Sequence, residues 1–580
     1  MKTKALRMLS FIFSMIMLVY CLTACDNGTL GSDEDREDQG GEIEKGDNEE
    51  QGDQDENSNE VDQNENIKSA FEIYCERFGY NGTEEEWLFD FENGILEPLP
   101  NYTVTFNPDD TQNSFTQEVQ FGKNATPPAD PVRIGYTFLG WYYVDGDYYE
   151  EWSFNEHRVT DNMTLVAKWD YATYELPIIN IDTAGDAINS KETYTTMTFS
   201  IENCDGELSE VAGGIRLRGN TTMTYDKKPY RIKFDKKQSL FGLEKAKSWV
   251  LLADYLDPSA LHNYTAFSLA SELDGLSFTP TPNKVNVYLN GEFVGLYTLC
   301  EQVQENEGRL NIEVDEIDPE WTELKQFNFL IAMDKCSKDD PSAVEGETYF
   351  YVKKYDKYFE LKYPEKSQFA SEEQFESFFS QLQDYTLDML DSFAKGDIEK
   401  IKSEVNVNSL IDYFIVDAIM GEQDHMFKSF NMYYTNTSEN PEENQKLNFG
   451  PVWDYDWCLN TDWTGIPNEQ FKLNLEIYYL DSNIHPFFRI FRYNSKRNEL
   501  YNLLKFRYTY YAKDVLNNYI ENLDLLADSM SESVKLNHSR WYSSLDKDLS
   551  DKNIVFLKEY LIARKSQLDE LWTVDLSIGT

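Results

Sequence analysis

Between Gly421 and Trp457 the chain places Asp424, Asn431, Asp454 and Asp456 among Phe427, Phe430, Tyr433, Tyr434, Phe449, Trp453, Tyr455 and Trp457. Carboxylates set among apolar and aromatic neighbours are costly to bury unless a cation or proton donors hold them. A fold that takes this stretch inside therefore has to build a site around it. Hard oxygen donors in the order Asp, Asn, Asp suit a divalent cation beside a phosphate, so the stretch reads as a metal-nucleotide site.

The rest of the chain bounds that reading. At 580 residues it exceeds one compact core, and usual domain sizes predict about three or four folding units. Acids outnumber bases by 104 to 52, which argues against nucleic acid or anionic lipid as partners, since both need clustered Lys and Arg. Seven Cys lie scattered without a Cys-x-x-Cys pair or spaced His, so neither a zinc site nor a dense disulfide framework is indicated.

Residues 1–24 have a basic head (Lys2, Lys4, Arg7) and an apolar run from Leu9 to Leu22. That run is shorter than a spanning helix, as in a secretory signal. Leu22-Thr23-Ala24-Cys25 resembles a bacterial lipobox, which implies cleavage before Cys25 and lipidation of that residue, with the lipid as the chain's membrane contact. Residues 25–66 follow as an acidic tether: 17 acids and two bases between Asp26 and Asn66, with almost nothing to bury. In the small helical segment 67–98, Thr83 and Glu86 form a capping-box pattern that opens a helix bearing Trp87 and Leu88.

From 101 to 170 the pattern alternates, with Tyr102-Thr103-Val104-Thr105-Phe106, Gly135-Tyr136-Thr137-Phe138-Leu139-Gly140-Trp141 and Met163-Thr164-Leu165-Val166-Ala167-Lys168-Trp169 as short strands between Gly and Pro turns. This segment resembles the Listeria–Bacteroides repeat of internalin-type surface proteins. The resemblance implies a β-grasp-like spacer or adhesion module without catalytic residues, open to cell-wall or surface partners.

The large unit, 176–575, begins with strands and ends with helices, an α+β order. Its Asn290-Gly291 turn marks a hairpin, and helical spacing runs through 260–273, 372–393, 407–420, 495–528 and 551–572. Two neighbouring strands offer Arg216, Arg218, Arg231 and Lys233, a basic cluster in an acidic chain that suits an anion such as phosphate. Neither a P-loop nor a Rossmann glycine pattern is present. His425 reads as a hydrogen-bonding support rather than a general base, and Asp257 as a cap for the helix after Pro258.

Six blocks in this unit resemble the spore coat protein H (CotH) family of atypical secreted kinases: Ile-Arg-Leu-Arg-Gly-Asn at 215–220, Tyr-Arg-Ile-Lys-Phe at 230–234, Trp-Val-Leu-Leu-Ala-Asp-Tyr-Leu-Asp-Pro-Ser at 249–259, Gly-Leu-Tyr-Thr-Leu-Cys-Glu at 295–301, Gln-Asp-His-Met-Phe-Lys-Ser-Phe-Asn-Met-Tyr at 423–433 and Pro-Val-Trp-Asp-Tyr-Asp-Trp at 451–457. The resemblance implies a protein-kinase-like fold, ATP with Mg²⁺ or Mn²⁺, and transfer of the γ-phosphate to Ser or Thr of a protein substrate. By position it makes Asp424 the catalytic acid, Asn431, Asp454 and Asp456 the metal ligands, Lys233 the strand lysine on the phosphates and Glu301 the acid that orients either that lysine or a metal. Arg216 and Arg218 are assigned to phosphate, with structural salt bridges as the equal alternative. Two other readings stand beside the kinase: a catalytically silent surface protein serving adhesion or coat assembly, and glycan hydrolysis by the Asp454/Asp456 pair.

Overall fold

The computed structural model describes residues 70–574 apart from 94, 96–99, 109–112, 146–147, 172–175, 315, 336–342, 460–484, 492–497 and 543–548. The expected signal, Cys25 and the acidic tether lie outside the described residues.

Helices α1 (Ala70–Phe78) and α2 (Glu84–Glu92) come first. The capping box forms as the sequence predicts: Thr83 N–H donates to Glu86 Oε2 at 2.9 Å and Glu86 N–H to Thr83 Oγ1 at 3.3 Å. Trp87 is buried and packs on Tyr74, which in turn meets Phe121. Phe121 lies just past the second strand of a five-stranded sheet. The strands β1 (Asn101–Asn107), β2 (Phe115–Gln120), β3 (Tyr136–Asp145), β4 (Tyr148–Glu151) and β5 (Met163–Tyr171) lie in the order β2-β1-β5-β3-β4, and β1 runs parallel to β5. Alternation turns Val104, Phe106, Trp141 and Leu165 to one core.

The large unit opens with β6 (Ile178–Asp182), β7 (Thr195–Glu202), β8 (Leu208–Leu217), β9 (Tyr230–Gln238) and β10 (Ala246–Leu252). Helix α3 (His262–Ser271) and the hairpin β11 (Asn283–Leu289) and β12 (Glu292–Glu301) follow. These strands close into a barrel, β10-β12-β11-β6-β7-β8-β9, with β6 parallel to β11. Closure removes the unpaired edges that an open sheet would expose. Ile179, Phe199, Ile232, Trp249, Val287 and Leu299 fill the interior. The alternate residues Arg216, Arg231 and Lys233 therefore face outward. Asp257 caps α3 as expected, accepting the His262 and Ser259 amides at 2.7 and 2.9 Å.

The repeat is docked against this barrel. Tyr288 Oη donates to the Gly135 carbonyl at 2.7 Å, while Arg133 and Tyr136 donate to the Gly291 carbonyl at the hairpin turn, at 2.7 and 2.6 Å. Gly135 has φ +86°, and a Cβ there would stand 2.4 Å from that of Phe293. We expect Gly135→Ala to cost about 1–3 kcal/mol through strain and overpacking. Calorimetry should show the repeat melting in a transition of its own.

Lys227, before β9, is buried, with its Nζ donating to the Leu296 carbonyl at 2.5 Å, and burial lowers its pKa to about 7. An unfolded lysine titrates near 10.4, so between the two values the unfolded chain binds more protons and this residue's contribution to stability rises with pH. The stability of the parent relative to Lys227→Met should accordingly rise from pH 7 to pH 9, by at most about 1.4 kcal/mol per pH unit. Urea unfolding of both chains checks this.

Beyond the barrel, the second half is not purely helical. Strands β13 (Phe329–Met333), β14 (Tyr349–Val352), β15 (Lys357–Tyr363), β16 (Phe430–Thr435) and β17 (Lys446–Phe449) form a sheet in the order β14-β15-β13-β16-β17. Helices α4 (Glu372–Lys395), α5 (Ile398–Glu404) and α6 (Val407–Met420) are inserted between β15 and β16. Helix α6 starts where the Asn406 side chain accepts the Ser409 amide and stops at Gly421, whose φ of +61° suits a residue without a Cβ. The helical pattern at 495–528 resolves into α7 (Asn498–Arg507), a π turn at Tyr508–Ala512 and α8 (Lys513–Ser529). There Tyr508 is buried and donates to Asp569 at 2.9 Å, and Thr509 Oγ1 accepts the Val574 amide, contacts that an uninterrupted helix would aim elsewhere. Helices α9 (Ser531–Trp541) and α10 (Leu549–Trp572) complete the unit.

Candidate active site

Helix α6 delivers the first site loop. After Gly421, Glu422 turns back and accepts the amides of Asp424 and His425 at 2.8 and 2.7 Å, which closes a tight loop ahead of β16. Asp424 pairs with Lys428 at 2.7 Å. Burial raises its pKa, the Lys428 ammonium opposes that, and Asp454 adds to it. Lys357 secures the same loop from β15 by donating to the Met426 carbonyl at 2.6 Å.

Asn431 lies on β16, and its amide donates to the Pro451 carbonyl at 3.0 Å. Its Oδ1 is buried without a hydrogen-bond partner, an oxygen that a bound cation would satisfy. The second site loop follows β17. Asp454 has φ +68° and accepts the Ser429 hydroxyl at 2.7 Å. Asp456 accepts Asn263 Nδ2 at 2.6 Å, and burial, with Asp454 and Asp254 beside it, pushes its pKa up to about 7. Two crowded carboxylates and an orphaned amide oxygen are donors of the hard-oxygen type that Mg²⁺ and Mn²⁺ prefer.

Only part of the basic cluster reaches this point. Arg218 lies over the Trp453 ring, 5.2 Å from its centroid, and its charge acts on Asp456. Arg216 and Lys233 instead gather around Tyr194, 4.8 and 6.0 Å from its ring. Lys233 is exposed on the outer barrel wall, and Glu301 accepts the Thr281 amide at 2.7 Å. The expected pairing of those two residues is not what the fold builds. The buried lysine–carboxylate pair next to the acids is Lys284 with Asp254, 3.0 Å apart, joined by Thr298. Asn263 carries the connection onward, donating to Asp254 at 3.1 Å as well as to Asp456. Nothing local in the sequence marks it: Lys284 is in phase with Asn286, opposite the apolar Val285 and Val287, and its partner lies 30 residues away.

His425 serves as a support. Its Nδ1 lies 3.0 Å from Asp417 and its Nε2 2.7 Å from the Trp453 carbonyl. A carbonyl accepts only, so Nε2 carries a proton, and the carboxylate draws a second proton onto Nδ1. Burial works against this charge, but Asp417 and Glu422 outweigh it and raise the pKa to about 10.

Beside the site, a cavity of about 660 Å³ is lined by Lys191 and Asn220 from the barrel side and by Asp334, Glu360 and Lys362 from the sheet. Glu360 and Asn431 both pair with Ala332 across adjacent strands, so the cavity and the candidate metal ligand share one stretch of sheet. Its volume falls in the range of small-ligand pockets.

The family model for the CotH kinase protein matches residues 215–568, more than half of the chain, and spans every candidate site residue from Arg216 to Asp456. The chain belongs to the CotH kinase family. Ahead of the CotH kinase domain, the Listeria-Bacteroides repeat domain model matches residues 102–168. Similar curated proteins include a putative membrane protein of Evansella cellulosilytica, 32% identical over 105 residues (18% of this chain and 15% of that protein). A putative Gly-rich membrane protein of the same organism is 33% identical over 99 residues, 16% of this chain and 11% of its own length. Internalin H of Listeria monocytogenes is 30% identical over 146 residues, 25% of this chain and 22% of its own. The chain thus spans less than a quarter of each of these relatives.

Proposed function

We propose that the CotH kinase domain is a protein-kinase-like serine/threonine kinase that transfers the γ-phosphate of ATP to a hydroxyl of a protein substrate. What supports this reading is the electrostatic coupling of Asp424 to Asp454 and of Asp454 to Asp456, together with the unsatisfied Asn431 Oδ1 on β16. Asp424 would accept the proton of the acceptor hydroxyl as that oxygen attacks the γ-phosphorus, and the bond from phosphorus to the bridging β-oxygen breaks with ADP as the leaving group. Lys428, paired with Asp424, and Arg218, above Trp453, supply positive charge next to the transferring group. Asp454, Asp456 and Asn431 would hold Mg²⁺ or Mn²⁺, which neutralises charge on the phosphates. Lys284 would fix Asp254 and, through Asn263, the orientation of Asp456.

The same proposal extends to location. The lipobox-like Leu22-Thr23-Ala24-Cys25 supports a lipoprotein anchored outside the cell membrane through Cys25, and no helix among the described residues is long and apolar enough to cross a membrane. Acceptors would then be extracellular or coat proteins. The internalin-like repeat favours a second reading, adhesion or envelope assembly by a domain that does not turn over. Incubation of the chain with labelled ATP and Mg²⁺ or Mn²⁺ separates the two. Label on Ser or Thr of the chain or of added proteins supports the kinase, and its absence across both metals leaves the adhesion reading.

A further inference from the structure

Asp417 sits in the last turn of α6 with its carboxylate fully buried, and both site loops end on it. From the first loop, His425 Nδ1 reaches both of its oxygens at 3.0 Å. From the second, Tyr455 Oη donates to Oδ1 at 2.7 Å. His425 then spans the gap, since its Nε2 holds the Trp453 carbonyl at 2.7 Å. The residues on either side of Asp454 are therefore tied to one carboxylate, directly through Tyr455 and through His425 for Trp453. Between them Asp454 sits at φ +68°, in the left-handed region that Asp tolerates better than most residues.

We propose that Asp417, His425 and Tyr455 form a positioning brace that sets the separation of Asp424 from the Asp454/Asp456 pair and so fixes the cation affinity of the site. The inference rests on the phosphoryl-transfer reading above. Asp417, Glu422 and His425 also lie close enough together to ligate a metal themselves, with candidate atoms within 4.8 Å of one another. Hydrogen bonds already engage all three: both nitrogens of His425, both oxygens of Glu422 through two amides, and Asp417 through His425 and Tyr455.

Tyr455→Phe tests the brace with little loss of packing, because the ring keeps its edge contacts with His425 and Phe267 at 5.0 and 6.5 Å. Mn²⁺ binding to the full chain, followed by electron paramagnetic resonance, should weaken about tenfold, the scale seen when partners of metal ligands are removed. The half-saturating Mn²⁺ for label transfer should rise by the same factor, with the KM for ATP at saturating metal unchanged. His425→Gln, which still donates to the Trp453 carbonyl but leaves Asp417 less well paired, should fall between the two chains. If either variant melts earlier yet binds Mn²⁺ as the parent does, the brace only stabilises the fold and the proposal is overturned. Mn²⁺ binding that survives Asp454→Ala and disappears in His425→Gln would overturn it too, by making the triad itself the ligand set. Should Tyr455→Phe not fold, Asp417→Asn gives the same reading with the side-chain volume kept. The Mn²⁺ measurement needs no turnover, so an inert parent chain refutes the kinase reading while the brace stands or falls on binding.

Discussion

Asp424→Asn is expected to lower label transfer by about a hundredfold to ten-thousandfold, the usual contribution of a positioned general base, while ATP and Mg²⁺ still bind. Asparagine keeps the shape and one acceptor for Lys428, which lies 2.7 Å from the carboxylate. What it removes is the only property the mechanism asks of this residue, the capacity to take a proton. Asp424 is well placed for that. Burial and the neighbouring Asp454 push its pKa up while the Lys428 ammonium opposes them, so it is a stronger base than a free carboxylate. Parallel assays of transfer and of nucleotide binding check the split. Full turnover in the variant would mean that another group takes the proton.

The largest effect on stability should come from Arg507. Its guanidinium makes a two-point contact with the fully buried Asp412 at 2.7 and 2.6 Å and reaches Asp274 at 2.5 Å. Asp412 also accepts the Gly275 amide at 2.9 Å. The cluster ties α6 to α7 and to the turn after α3, so it holds the helix from which both site loops are braced. Arg507→Met leaves the Asp412 carboxylate in the core without its counter-ion, and removing one partner of a buried pair typically costs about 3–5 kcal/mol. Replacing both, as in Arg507→Met with Asp412→Leu, should cost less than the single change. Denaturant unfolding of the two variants measures the difference, and equal losses would show that the pair's charge is not what matters there.

Local sequence signals foretold elements well where the chemistry is local. The Thr83/Glu86 box, the Asn290-Gly291 hairpin, the Asp257 cap and the helix 407–420 each depend on residues a few positions apart, and each is present. Barrel closure was not legible, because it rests on β6 meeting β11 and β9 meeting β10, pairings that alternation leaves open. The same physics divides the site. Asp424, Asn431, Asp454 and Asp456 lie within one stretch and could be read from their aromatic setting. The lysine assignment required knowing which face of each strand points where. Lys233 follows the apolar alternation on the outer wall, whereas Lys284 is buried against Asp254 from 30 residues away. Asp417, inside a helix read only as apolar spacing, gave no sign that it anchors two loops.

The central claim, that Asp454, Asp456 and Asn431 hold a divalent cation beside ATP, is tested most directly by ligand-dependent stability. With ATP and Mg²⁺ at a hundredfold excess over the dissociation constant, the parent chain should gain about 2.7 kcal/mol. Asp454→Ala should gain almost nothing under the same conditions. An equal gain in both chains, or none in the parent with either Mg²⁺ or Mn²⁺, would contradict the account.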